Sequence, residues 1–139
     1  MSRVETTAAI IPIVLTHYKA AQAIYLFGSY GADHAWPDSD LDIALLLTPE
    51  QAKTEPSLLM SQCRFDLEEA LSKEVDLLNV RQVSTVFQKE IICGVRIDCA
   101  DPYAADEFEM LVISYYQKLT YERRAIMDAF YKTGRAYAV

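Results

Sequence analysis

The chain has 139 residues, 13 basic and 20 acidic, giving a formal charge of −7. That length predicts one domain over 1–139, and 52% hydrophobic residues with only 4 Gly and 5 Pro exclude a disordered or collagen-like chain. The acidic balance speaks against direct binding of nucleic acid, which rests on clustered Lys and Arg, and favours a small molecule or another protein as partner.

Val4, Ala8, Ile11, Leu15 and Tyr18 recur at spacings of three and four, which predicts a helix over 3–22 that Pro12 kinks or divides. The apolar stretch 8–15 with Ala21-Gln22-Ala23 imitates a secretory signal and its cleavage site. Glu5 stands where positive charge should dominate, and cleavage would leave the following strand at the new terminus, so no signal is expected. No apolar run approaches the length of a membrane span. Cys63, Cys93 and Cys99 form an odd set without metal or redox spacing, which predicts reduced, mostly buried thiols and a cytoplasmic location.

Ala23-Ile24-Tyr25-Leu26-Phe27 reads as a buried strand that ends in a turn at Gly28-Ser29. A loop over 30–39 leads to a second strand over 40–48. Thr54-Glu55-Pro56 should open a helix with Leu59, Cys63, Leu67, Ala70 and Leu71 on one side, stopping near Lys73. A third strand is expected over 75–80, a helix over 83–93 stopped by Gly94, and a short fourth strand over 95–99. Asp101-Pro102 then opens a long C-terminal helix to about Lys132, with Gly134 beyond it. Helices alternating with short strands make an α/β fold.

The long helix carries Phe108, Leu111, Tyr115, Leu119, Ile126 and Phe130 as an expected core stripe. Val112, Tyr116, Met127 and Tyr131 widen it beyond what a small domain buries, which suggests a partner surface. Acidic Asp101, Asp106, Glu107 and Glu109 at its start and basic Lys118, Arg123, Arg124, Lys132 and Arg135 toward its end complement the helix dipole.

Residues 28–42 carry the chemistry. A Gly28-Ser29 strand end is followed, after ten residues, by Asp40-Leu41-Asp42 at the start of the next strand. Positions i and i+2 of a strand share a side, so Asp40 and Asp42 should project together while Leu41, Ile43, Leu45 and Leu47 pack behind. Two unpaired carboxylates repel, and a hard divalent cation, Mg²⁺ or Mn²⁺, relieves the repulsion. Gly28 permits close backbone approach, and Ser29 with the N–H groups after it can hold phosphate oxygens. Asp76, in an otherwise apolar strand, can complete a three-carboxylate cluster suited to two-metal nucleotidyl transfer. Asp38, Ser39, Asp33 and His34 read as turn and loop residues.

In these residues the chain resembles the nucleotidyltransferase superfamily that includes DNA polymerase beta, and most closely the minimal nucleotidyltransferase (MNT) antitoxins paired with HEPN ribonuclease toxins. The resemblance implies a small mixed sheet with packed helices and a long C-terminal helix. It also implies transfer of AMP from ATP to a tyrosine of a HEPN toxin, within a hetero-oligomer that contacts no membrane. In that reading Gly28 and Ser29 hold the nucleotide, and Asp40, Asp42 and Asp76 bind two Mg²⁺. Many members carry Ala-Arg-Gly where this chain has Gly31-Ala32-Asp33, which leaves Lys89 and Arg96 as candidate compensating cations. A steric antitoxin with a vestigial nucleotide site and a small-molecule nucleotidyltransferase are the alternatives; the latter usually needs an additional helical domain.

Overall fold

The computed structural model describes residues 3–28, 40–55 and 57–133. Four strands form one mixed sheet in the order β3-β2-β1-β4: β1 (Ala23–Phe27), β2 (Leu41–Leu46), β3 (Val75–Asn79) and β4 (Val95–Cys99). β1 runs antiparallel to both β2 and β4, and β2 runs parallel to β3. Alternation along the strands divides the side chains between two layers. Ile24, Leu26, Leu41, Ile43, Leu45, Val75 and Leu77 face α1 (Arg3–His17) and α3 (Gln62–Leu71). Ala23, Tyr25, Phe27, Ala44 and Leu46 face α4 (Thr85–Ile92) and the beginning of α5 (Pro102–Thr133).

α1 keeps Pro12 inside it and buries Ile10 and Val14, but it stops at His17, short of the predicted 22. The reason lies in the sheet. Gln22 already bonds across it, its N–H donating to Leu46 O at 2.7 Å and its carbonyl accepting from Ala100 N at 3.0 Å. The chain must therefore leave the helix before that point. Val4, expected on the buried stripe, is 78% exposed.

The second strand ends at Leu46 rather than at 48, because Thr48 caps a short helix absent from the sequence expectation, α2 (Pro49–Thr54). Thr48 Oγ1 accepts from Gln51 N at 3.3 Å and Pro49 occupies the first turn, a start signal visible in Thr-Pro-Glu. The helix expected from Thr54 begins instead at Gln62, with Ser61 as its cap, its hydroxyl accepting from Arg64 N at 3.2 Å. Cys63, Leu67 and Leu71 are buried as expected, while Leu59 and Ala70 are exposed. β3 ends at Asn79 and passes into a 3₁₀ turn, Val80–Gln82; α4 then starts at Thr85, capped by Ser84 rather than at 83.

Two side chains lock the connections to the sheet. Asn79 Nδ2 donates to Ala52 O at 3.1 Å and Glu55 O at 2.7 Å, tying β3 to the end of α2. Arg64 Nε donates to Val75 O at 2.8 Å from α3. Of the cysteines, Cys63 is buried and Cys93 is exposed, so the expectation of mostly buried thiols fails at Cys93; no two are joined.

The long helix is where expectation and structure part most. Phe108 and Val112 are buried with Ala105, so Val112 belongs to the core and not to a free surface. Leu111, Tyr115, Leu119, Ile126 and Phe130, expected as core, are exposed. The sheet they would cover ends after the first turns of α5, and periodicity alone carries no record of where a neighbour stops. Gly134 and Arg135 lie outside the described residues. No helix among the described residues is long and apolar enough to cross a membrane.

Candidate active site

β1 ends at Phe27, and Gly28 follows with φ of +72°. In that left-handed region a side chain costs about 1–2 kcal/mol. A Cβ built on Gly28 would also overlap Asp42 Oδ2 and lie 3.2 Å from Asp42 Cγ, because the antiparallel register sets Phe27 opposite Asp42. The backbone thus turns out of β1 directly over a carboxylate. Substituting Gly28→Ala should lower stability by about 1–2 kcal/mol and displace the Asp42 side chain, cutting the nucleotidyl transfer expected from the sequence far more than that loss of stability accounts for. Parallel thermal melts and turnover measurements check this; a fully active, equally stable variant would remove Gly28 from the site.

Asp42 lies between Leu41 and Ile43, which are wholly buried against α1 and α3, so its side chain emerges on the opposite face. The parallel register puts Asp76 of β3 beside it. The predicted partnership of the distal carboxylate with the second strand is thereby realised. Asp42 is half-buried and Asp76 exposed. Burial raises the Asp42 carboxyl to about 6, and the charge of Asp76, a hydrogen bond shared with it, and the charges of Asp40 and Glu90 all act in the same direction.

Asp40 precedes β2 and is exposed, so the i, i+2 rule does not govern it; it contributes charge at the edge of the pair. As the side chains stand, no three His, Cys, Asp or Glu among the described residues converge closely enough to enclose a metal ion. The donor set nevertheless fits a hard cation: it offers oxygen only, and a cation would relieve the burial and the like charges of Asp76, Asp40 and Glu90 that together raise the Asp42 carboxyl. Ser29 and the loop residues Ala32, Asp33, His34, Asp38 and Ser39 lie outside the described residues.

Glu90 on α4 joins this acidic field, and nothing in its sequence context announced it. The two candidate cations fare differently. Arg96 Nη1 donates to Asp106 at 3.0 Å and to Glu109 at 2.8 Å, and Glu109 also accepts from Tyr25 Oη at 2.9 Å, so Arg96 anchors β4 to α5. Lys89 neighbours Glu90 in sequence on α4; its Nζ donates to Cys93 Sγ at 3.0 Å and stands 5.3 Å from the Tyr116 ring centroid.

The raised Asp42 pKa has a sign for stability. An acid that keeps its proton to about pH 6 when folded, but ionises near 4 when unfolded, makes folding less favourable as pH rises between those values. The deficit persists above pH 6. At full weight two pH units correspond to roughly 3 kcal/mol, and solvent screening of this half-open group reduces that to about 1 kcal/mol. In metal-free buffer at pH 7.5, Asp42→Asn should therefore melt above the wild type, with the gap closing toward pH 4. Saturating Mg²⁺ should raise the wild-type melting temperature and leave the variant nearly unmoved. Equal melting at both pH values would show that the carboxylates do not strain each other.

The family described as polymerase beta nucleotidyltransferase matches residues 10–103, a span that contains Gly28, Asp40, Asp42 and Asp76. The protein adenylyltransferase MntA of Shewanella oneidensis is 33% identical over 119 residues, covering 86% of this chain and 83% of that protein. A crystal structure of a toxin–antitoxin with AMP-PNP is similar, with a TM-score of 0.67 at 32% identity, over 88% of this chain and 95% of the other. So is a structure of a tri-AMPylated HEPN toxin of S. oneidensis in complex with MNT antitoxin, with a TM-score of 0.66 at 30% identity, over 91% of this chain and 97% of the matched one.

Proposed function

The chain belongs to the polymerase beta nucleotidyltransferase family, and from that premise we propose that it is an antitoxin that transfers AMP from ATP to a tyrosine hydroxyl of a HEPN ribonuclease toxin. The observation that carries the proposal is the pairing of Asp42 with Asp76 across two parallel strands, beneath the turn at Gly28. The similar protein adenylyltransferase and the AMP-modified HEPN toxin complex support a HEPN protein as the acceptor.

Gly28 lets the backbone approach the triphosphate, and Ser29 with the following N–H groups holds its oxygens. Asp40, Asp42 and Asp76 would hold Mg²⁺, two ions suiting three carboxylates and Mn²⁺ substituting for them. When bound, the cations neutralise the triphosphate and ease ionisation of the attacking hydroxyl. The tyrosine oxygen bonds to the α-phosphorus as the bond from that phosphorus to the α,β-bridging oxygen breaks, and pyrophosphate leaves. Asp76, the exposed member of the pair, accepts the phenolic proton. Asp42, held between β1 and β3, fixes the nucleotide's position. A protein acceptor fits a hetero-oligomer with the toxin, and an ATP donor supports the expected cytoplasmic location.

Incubation with a HEPN toxin, ATP and Mg²⁺, followed by intact-mass measurement, tests the proposal. The toxin should gain whole AMP units and lose ribonuclease activity only when both ATP and Mg²⁺ are present. Silencing without any mass change would replace transfer by steric occlusion, and modification of an aminoglycoside instead would move the chain to the small-molecule transferases.

A further inference from the structure

α5 is 32 residues long, roughly 48 Å at the helical rise, and only its beginning packs on the sheet. Ala105, Phe108 and Val112 are buried there. The same stripe continues at helical spacing through Leu119, Ile126 and Phe130, which are 38%, 46% and 43% exposed. Its chemistry stays apolar where its cover ends, which is the mark of a face completed by another molecule.

The charges on this arm select the kind of molecule. Lys118, Arg123, Arg124 and Lys132 outnumber Glu122 and Asp128, so the arm is basic within a chain whose formal charge is −7. Two such arms repel each other, which disfavours a second copy of the chain packed arm to arm. An acidic, helical protein surface complements the arm in both charge and shape.

Resting on the reading of the chain as an enzyme that modifies a toxin, we infer that the distal arm of α5, residues 115–132, is the docking surface for the toxin, seating an apolar strip of it flanked by acidic side chains. α4 meets α5 where Lys89 approaches the Tyr116 ring, and it bears Glu90, whose charge reaches Asp42. Docking thus brings the acceptor tyrosine near the site without adding a group to the chemistry. Its loss raises KM for the toxin and spares kcat.

Two double variants test this with the HEPN toxin that the chain modifies: Ile126→Glu with Phe130→Glu, and Arg123→Glu with Arg124→Glu. These positions are exposed, so both proteins should keep the wild-type circular dichroism and melting temperature. Nucleotide-free toxin binding, measured by calorimetry, should weaken at least tenfold in each, with KM for the toxin raised to match and kcat within twofold. Asp42→Asn, in contrast, should bind toxin like the wild type and transfer no AMP. Wild-type binding that survives both arm variants overturns the docking assignment, as does absence of wild-type binding. A wild type that binds through the arm but transfers nothing leaves docking standing and overturns only the enzymatic reading. A dimer of the chain alone that the apolar variant dissolves would give the arm to a second copy and overturn the inference.

Discussion

Replacing Asp40 and Asp42 together by alanine should abolish AMP transfer while leaving the chain folded. Both side chains lie outside the hydrophobic clusters, Asp40 exposed ahead of β2 and Asp42 half-buried on a strand whose core-facing neighbours are Leu41 and Ile43. Removing them takes away oxygen ligands for the triphosphate's cations, whose electrostatic contribution to the transition state is several kcal/mol. A loss of about 5 kcal/mol lowers the rate by roughly three to four orders of magnitude. Stability should move the other way, because Asp76 no longer faces a like charge. Rates of AMP incorporation by intact mass, beside thermal melts in metal-free buffer, read both effects. Modification of the toxin at the wild-type rate would end the assignment of these aspartates.

Asp76→Asn should be as damaging to function by a different route. The substitution keeps the size of the side chain at the register position opposite Asp42 but removes the charge and the basicity needed to take a phenolic proton. Wild-type antitoxin, acting as a catalyst, should silence a molar excess of toxin in ATP and Mg²⁺, and the toxin should stay silent after the antitoxin is removed. Asp76→Asn should protect no more toxin than it physically binds. Titration of residual ribonuclease activity against antitoxin separates the cases. If Asp76→Asn neutralises toxin as efficiently as the wild type without ATP, inhibition is by occlusion and catalysis is secondary.

Much of the machinery is visible in the linear chain because it obeys local rules. Gly28 at a strand end and alternating Leu41, Ile43 and Leu45 around Asp42 are short-range patterns, and the structure realises the strands they predict. Asp76 stands out for a related reason: a charge within an apolar strand needs a destination. Missed features divide into two kinds. The Thr48-Pro49 start of α2 is a local signal, written in the cap and the proline beside it, although the apolar run before it continues to Leu47. Glu90 and the anchoring task of Arg96 had no such signal, since their partners lie in other elements.

The residue types and spacings of this chain by themselves determined the strand-turn-strand unit with its carboxylates, the alternation of helices and strands, and the length of α5. Backbone propensity and periodicity act over a few residues, so they are written locally. Only the tertiary structure decided that β2 runs parallel to β3 in the register that sets Asp42 beside Asp76, and that Asp40 stays outside the strand. It also decided that α1 ends before Gln22 enters the sheet, and that the apolar stripe of α5 is buried at Phe108 and Val112 but bare at Ile126 and Phe130. Each depends on which distant segment arrives as a neighbour, and a side chain's burial and charge state follow from that neighbour rather than from its own position in sequence.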